Sequence, residues 1–192
     1  MGFALIGGAA LGESFFIAGA VSGCFALSAI AKLQQPEPFE AFVGSLIPQV
    51  PARRSITLGL ATIEILVAAL LLSPSRWIGA VLAVILSSGF VAASLKAQRS
   101  AAPGCGCFGA LDAESPHWIT LARSVGVLAA AAYCLVAFAA AHPGPPNDAV
   151  FGSILGFVVG AGLALTMTLI GAIIEFRSVL HQLLEPEINR IP

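Results

Sequence analysis

Two cysteines separated by a single residue are the clearest chemical feature of this sequence. Cys105 and Cys107 stand in the segment Pro103 to Gly109, which reads Pro-Gly-Cys-Gly-Cys-Phe-Gly. A disulfide between them closes a very small ring, and the strain in such a ring makes the bond easier to reduce. The neighbouring glycines permit the backbone angles that the ring requires. The pair therefore suits an exchangeable disulfide better than a structural cross-link. Two thiolates at this spacing are alternatively a ligand pair for a soft metal such as Cu(I).

The other two cysteines have a different setting. Cys24 and Cys134 lie inside long apolar stretches, where a free cysteine commonly packs as a small apolar residue. Packing is therefore the simpler interpretation of both. The alternative is that they form a second pair, which relays electrons away from the Cys105–Cys107 loop.

Three charged residues also fall within or at the end of apolar stretches, namely Lys32, Glu64 and Arg123. Charges inside membrane helices are costly and usually face the interior of a bundle. The alternation of helix directions brings all three toward the membrane side that carries the cysteine loop. One interpretation is that Glu64 and Arg123 form a structural ion pair. The other is that a Lys or Arg near the loop favours the reactive thiolate of a cysteine there, and the two interpretations are compatible.

The elements that position these residues are predicted from hydropathy. The 192-residue chain is 58% hydrophobic and 10% charged, with a mean hydropathy of +0.95, whereas soluble domains carry about 25% charged residues. Membrane lipid must therefore cover much of the surface. A membrane-spanning helix needs about 20 apolar residues, and proline-containing segments separate the stretches that qualify. The predicted transmembrane helices are residues 13–33, 55–72, 77–95, 118–141 and 149–174, followed by a polar tail at 177–192.

The prediction is thus a single all-α membrane domain over residues 1–192, a polytopic transmembrane helical bundle. No Lys or Arg precedes the first apolar stretch, which favours a first membrane helix over a cleaved signal peptide. The formal net charge of −1 gives no reason to expect a nucleic-acid partner. The three histidines are not spaced as a metal cluster, and no nucleotide or catalytic-triad motif is present. We therefore predict no cofactor and no metal, and no residue argues for a quinone site.

Glycines recur at four-residue spacing in two of the predicted helices. Gly152, Gly156 and Gly160 form one ridge in the fifth helix, and Gly19 and Gly23 form another in the first. Small residues at this spacing let helix backbones approach closely. Internal packing is the simpler interpretation, and a docking face for a partner subunit on the fifth helix is the alternative.

Charge placement predicts the orientation. Most Lys and Arg residues fall on the side of the cysteine loop and the C-terminus, whereas the other side has Arg76 and almost nothing else. The positive-inside rule therefore places the cysteine loop in the cytoplasm. Disulfide formation in exported proteins instead requires a site outside the cytoplasm. The sequence leaves this conflict open.

The chain resembles the methylamine utilisation protein MauE family, which is related to the DoxX-like membrane proteins. The matching features run in order over about residues 14–140. They are Ala31-Lys32, Phe39, Leu46-Ile47-Pro48, Glu64, the segment Cys105 to Gly109, and Arg123.

The resemblance implies a DoxX-like four-helix core with an additional C-terminal transmembrane helix, in a bacterial plasma membrane. It also implies thiol–disulfide chemistry that assists a partner, either a thioredoxin-like protein or a membrane redox complex. Cys105 and Cys107 would be the redox pair, with Lys32, Glu64 and Arg123 as supporting polar residues.

Three functional hypotheses follow. The first is a thiol–disulfide redox protein that assists disulfide formation or maturation of another protein. The second is a non-catalytic subunit of a larger membrane complex, docked through Gly152, Gly156 and Gly160. The third is a soft-metal carrier, which ranks last because the chain has no Met-rich or His-rich tract.

Overall fold

The computed structural model describes residues 3–99, 117–140 and 153–163, together with residues 165–166, 169, 173 and 176–177. The described residues form helices and contain no β-strand, so the prediction of an all-α fold is confirmed. The helices are α1 (Phe3–Gln34), α2 (Glu37–Leu46), α3 (Arg53–Leu72), α4 (Arg76–Arg99), α5 (His117–Ala140) and α6 (Ser153–Leu163).

Four of the helices are long and apolar enough to cross a membrane. They are the Glu13–Gln34 part of α1 and the whole or nearly the whole of α3, α4 and α5. Their outward faces carry large apolar side chains, such as Ile85 at 63% exposure and Val136 at 69%. Hydrocarbon is the solvent that such faces require. The chain is therefore a multi-pass membrane protein, whose predicted fifth span at 149–174 is described only in part.

The four long helices form a closed ring, in which α1 packs on α3 and α5, and α4 packs on the same two helices. Small residues at the centre permit this close packing, and Ala29, Ala61, Ala80 and Ala83 are completely buried. Gly79 allows the α3–α4 hairpin to close, because a Cβ at this position would lie 2.7 Å from the backbone nitrogen of Leu71. In lipid, packing of this kind replaces the hydrophobic effect as the force between helices.

The short helix α2 lies where the sequence predicted only a proline-containing interruption between two spans. Pro36 and Pro38 begin it, and Glu37 and Glu40 occupy its first turn, where proline and acidic residues are both favourable. Phe39, Phe42 and Val43 are buried, and they form a small core with Ala97 of α4. Helix α2 therefore packs against α3 and α4 near the end of the bundle that carries Lys32.

Helix α6 packs against α1 through glycines on both helices. A Cβ added to Gly156 would collide with the backbone of Phe16, and one added to Gly160 would collide with the backbone of Ala20. Conversely, a Cβ on Gly19 would lie 2.8 Å from the backbone nitrogen of Phe157. Gly156 and Gly160 thus serve internal packing and do not form a free docking face. Gly152 lies outside the described residues.

Candidate functional site

A buried ion pair joins α1 to α3. The ammonium Nζ of Lys32 lies 2.8 Å from Oε1 and 3.0 Å from Oε2 of Glu64, and both side chains have 0% exposure. Lys32 occupies the last turn of α1, and its side chain is turned into the bundle rather than toward the membrane surface. Complete burial is rare for charged side chains and normally requires a partner of this kind.

Ser28 completes the hydrogen bonding of this pair. The Lys32 ammonium donates to Ser28 Oγ over 2.6 Å, and the Ser28 hydroxyl donates to Glu64 Oε1 over 3.0 Å. An ammonium carries three hydrogens. The two carboxylate oxygens of Glu64 and the hydroxyl oxygen of Ser28 accept one each, so that every N–H of Lys32 Nζ has an acceptor. Lys32 and Ser28 stand four residues apart and therefore share one face of α1.

Two aromatic rings enclose the ammonium group. Lys32 Nζ lies 5.0 Å from the ring centroid of Phe39 on α2 and 5.3 Å from that of Phe90 on α4. Both distances suit a cation–π interaction, which is strengthened where water is excluded. Four helices thus contribute to the environment of a single charged group.

The predicted pairing of Glu64 with Arg123 is wrong, since Glu64 binds Lys32. The reason lies in the order of helices around the ring, in which α3 packs on α1 and α4. Glu64 is buried against α1, whereas Arg123 on α5 lines a pocket together with Cys24 of α1.

Arg123 lines a small pocket in the bundle interior, with a volume of about 40 Å³. Polar groups from three helices border this pocket: Cys24 and Ser28 on α1, Ser87 on α4, and Ser124 beside Arg123 on α5. Ser28 therefore connects the Lys32–Glu64 pair to the pocket. Ser87 is 1% exposed, and its hydroxyl has no hydrogen-bond partner among the described residues.

A larger cavity of about 420 Å³ lies between α1, α5 and α6. Its lining is almost entirely apolar, and it shares Cys24, Arg123 and Val127 with the small pocket. Trp118 and Leu163 stand on its wall with 62% and 56% of their surface exposed. The cavity thus extends from the polar interior to the lipid-facing surface.

The two cysteines within helices are free thiols. The Cys24 thiol lies 3.5 Å from the backbone carbonyl of Gly160 on α6 and donates to it. Cys134 is completely buried in the main apolar core. The structure thus places the two in different surroundings and does not join them in a disulfide.

The predicted redox pair, Cys105 and Cys107, lies outside the described residues. Along the chain the two cysteines fall between the C-terminal end of α4 at Arg99 and the N-terminal end of α5 at His117. This end of the bundle also carries Lys32 at the end of α1. No cluster of three or more His, Cys, Asp or Glu residues that suits a metal ion occurs in the described ranges.

Sequence reasoning missed Ser28, Ser87 and Phe90, and it named Phe39 only as a match to the family, without a role. One signal was available for Ser28, because a hydroxyl four residues before a buried lysine lies on the same helix face. Nothing local marks Phe90 or Ser87, since their roles depend on how α4 is rotated against its neighbours.

The family model described as methylamine utilisation protein MauE matches residues 9–137. The matched region contains most of α1, the whole of α2, α3 and α4, the segment with Cys105 and Cys107, and most of α5. No curated protein and no solved structure matches the chain significantly.

Proposed function

From the chain's membership of the methylamine utilisation protein MauE family, we propose that it is a membrane thiol–disulfide redox protein that assists disulfide formation in a partner. The observation that carries the proposal is the Cys105-Gly106-Cys107 segment, which falls inside the region that matches the family. The partner is an exported or thioredoxin-like protein, or a membrane redox complex, and the membrane is the bacterial plasma membrane.

The proposed reaction is a thiol–disulfide exchange. A thiolate of the partner attacks one sulfur of the Cys105–Cys107 disulfide, and the other sulfur leaves as a thiolate. A second partner thiolate then attacks the mixed disulfide, so that the partner is oxidised and the Cys105–Cys107 pair is reduced. The strain of a ring with one intervening residue drives the first step.

The polar interior supports this reaction indirectly. The ion pair of Lys32 and Glu64 fixes how α1 is rotated against α3 at the end of the bundle where α4 leads into the cysteine segment. Arg123 lies between one and two turns into α5, the helix that follows the cysteine segment in the chain. These residues are positioning residues in the proposal and do not react.

Single replacements of the loop cysteines test the proposal. We expect Cys105→Ser and Cys107→Ser each to abolish disulfide formation in the partner while leaving protein abundance unchanged, because exchange requires both sulfurs. With the loop intact, a partner that retains only its attacking cysteine should accumulate a mixed disulfide with Cys105 or Cys107, visible as a band on non-reducing gels that reductant removes. Cys134→Ala is the matched control, because it removes a thiol buried in the core and should retain activity.

Full activity of both loop variants would contradict the proposal. Stoichiometric Cu(I) binding that is lost in both variants, without any change in partner disulfides, would instead favour the soft-metal carrier. Gel shift with an alkylating reagent reports directly whether Cys105 and Cys107 change between oxidised and reduced forms in cells.

A further inference from the structure

We infer that the cavity between α1, α5 and α6 binds a lipid-soluble quinone, which serves as the electron acceptor. This inference rests on the proposed function, because a redox pair that oxidises its partner must itself be reoxidised. The cavity, its polar end and its access from the lipid each contribute to the argument.

The size and lining of the cavity suit an apolar ring with a chain attached. Its volume of about 420 Å³ falls within the range of about 300–1,000 Å³ that is typical of small-molecule pockets. Residues from all three helices form the wall, including Val21 on α1, Ala130 on α5 and Leu163 on α6. A ligand with an apolar body is required, because polar groups would lose their hydration there without gaining partners.

The cavity is accessible from the bilayer. Trp118 and Leu163 on its wall are more than half exposed, and the cavity between the three helices is partly open. Gly126 also lines the cavity, and a Cβ at this position would meet nothing within 4 Å. A ligand dissolved in the membrane can therefore enter the cavity laterally from the bilayer, without passing through the aqueous phase.

Hydrogen-bond donors lie where the cavity meets the small pocket. Arg123 borders both spaces, and Ser87 borders the small one. The Cys24 thiol also lies there, and its hydrogen is donated to the Gly160 carbonyl. The Ser87 hydroxyl is buried without a hydrogen-bond partner in the described structure, an arrangement that is costly away from water. The pocket of about 40 Å³ accommodates roughly two or three water molecules, which can bridge the hydroxyl to a ligand oxygen. An apolar ring that carries carbonyl oxygens matches this end of the cavity.

The redox balance also points to a quinone. Reoxidation of Cys105 and Cys107 breaks two S–H bonds, forms one S–S bond and releases two electrons and two protons. A quinone accepts both electrons and both protons and forms two O–H bonds, which makes a quinol. No further reactant is needed. A hydrocarbon chain of a lipid would fill the same apolar space but could not accept the electrons.

Fluorescence of Trp118 provides the test. The chain has two tryptophans, and Trp77 lies at the start of α4, at the opposite end of the bundle from the start of α5. Trp77→Phe therefore leaves Trp118 as the only indole, and Trp118→Phe leaves Trp77 as the control. We expect decylubiquinone to quench Trp118 in lipid nanodiscs with a saturable component that Trp77 lacks.

Filling the cavity should abolish this component. Gly126→Leu, placed in the Trp77→Phe background, adds a side chain in the open space of the cavity, and overpacking against a ligand weakens binding by roughly tenfold or more. Gly59→Leu is the matched control, because a Cβ on Gly59 meets nothing within 4 Å and lies on α3, which does not line the cavity. Ser87→Ala should weaken binding by roughly fivefold without lowering the stability of the ligand-free protein.

Three outcomes would overturn the inference. The first is equal, non-saturable quenching of Trp118 and Trp77, which would mean simple partitioning into lipid. The second is unchanged binding in Gly126→Leu. The third is displacement of decylubiquinone by decanol at equal concentration, which would show that the cavity holds apolar chains only. Because these measurements do not involve Cys105 or Cys107, their failure is distinguishable from failure of the proposed thiol chemistry.

Discussion

At the residue scale, the Lys32–Glu64 pair is the most constrained feature of the molecule. Both groups are fully buried and are held by short hydrogen bonds within a cluster that includes Ser28. A buried ion pair contributes little net stability, because desolvation offsets the attraction, but removal of one partner leaves a charge without compensation. The pair therefore specifies how α1 is rotated against α3, since other rotations would leave both charges unpaired.

Breaking the pair should be more damaging than removing it. We expect Lys32→Met to lower the free energy of unfolding by about 3–5 kcal/mol, because the Glu64 carboxylate then remains buried alone. The double variant Lys32→Met with Glu64→Leu should recover most of that loss. Unfolding of the detergent-solubilised protein in increasing dodecyl sulfate, followed by circular dichroism, measures both values.

Glu37→Gln is the control for this series, because Glu37 is exposed on α2 and surface replacements usually change stability by less than about 0.5 kcal/mol. If the double variant were as unstable as Lys32→Met alone, the loss would come from packing at these positions rather than from the unpaired charge.

At the element scale, α6 packs on the bundle through glycines that let two helix backbones approach closely. Gly156 and Gly160 face the backbone of α1, and Gly19 and Gly23 face the backbone of α6. The Cys24 thiol and the Gly160 carbonyl lie within this contact. The close approach of the two backbones therefore also limits access to Cys24 and forms one wall of the lateral cavity.

A side chain at this contact should separate α6 from α1. We expect Gly156→Val to increase the rate at which N-ethylmaleimide alkylates Cys24, because the new methyl groups collide with the backbone of Phe16. Gly162→Val is a matched control on the same helix, because a Cβ there meets nothing within 4 Å.

Mass spectrometry of the alkylated protein identifies the labelled cysteine in each variant. Equal labelling of Cys24 in Gly156→Val and Gly162→Val would show that the glycines are not what holds the two helices together.

At the scale of the whole molecule, the two ends of the bundle differ in how many Lys and Arg residues they carry and in what those residues contact. Lys32 is neutralised by Glu64 inside the bundle, so it does not act as a free charge at the membrane surface. Arg76, at the opposite end, stacks over Phe15 and Phe138 with guanidinium-to-centroid distances of 4.4 and 5.4 Å. The end of the bundle where α4 leads into the cysteine segment carries four further basic residues, which are Arg53, Arg54, Lys96 and Arg99.

The proposed function predicts that this end faces away from the cytoplasm. A membrane-impermeant maleimide should label Cys105 and Cys107 in intact cells only after reduction, because oxidation of exported proteins takes place outside the cytoplasm. Variants that retain a single loop cysteine assign the signal. Labelling that requires opened cells would instead support the orientation that the positive-inside rule predicts.

The sequence by itself determined that this is an all-α membrane protein with an unusual cysteine pair. Hydropathy, proline positions and the Cys-Gly-Cys spacing are properties of short stretches of chain, so they can be interpreted without knowing which helices touch. It also supplied the glycine spacing that the α1–α6 contact uses.

Only the tertiary structure decided which groups meet. The pairing of Glu64 with Lys32 instead of Arg123 depends on the order of helices around the ring and on their rotation. The burial of α2 and the cavity beside Arg123 likewise arise from several helices that are distant in sequence. Side-chain contacts between helices depend on relative position and rotation, and no local pattern of residues contains that information.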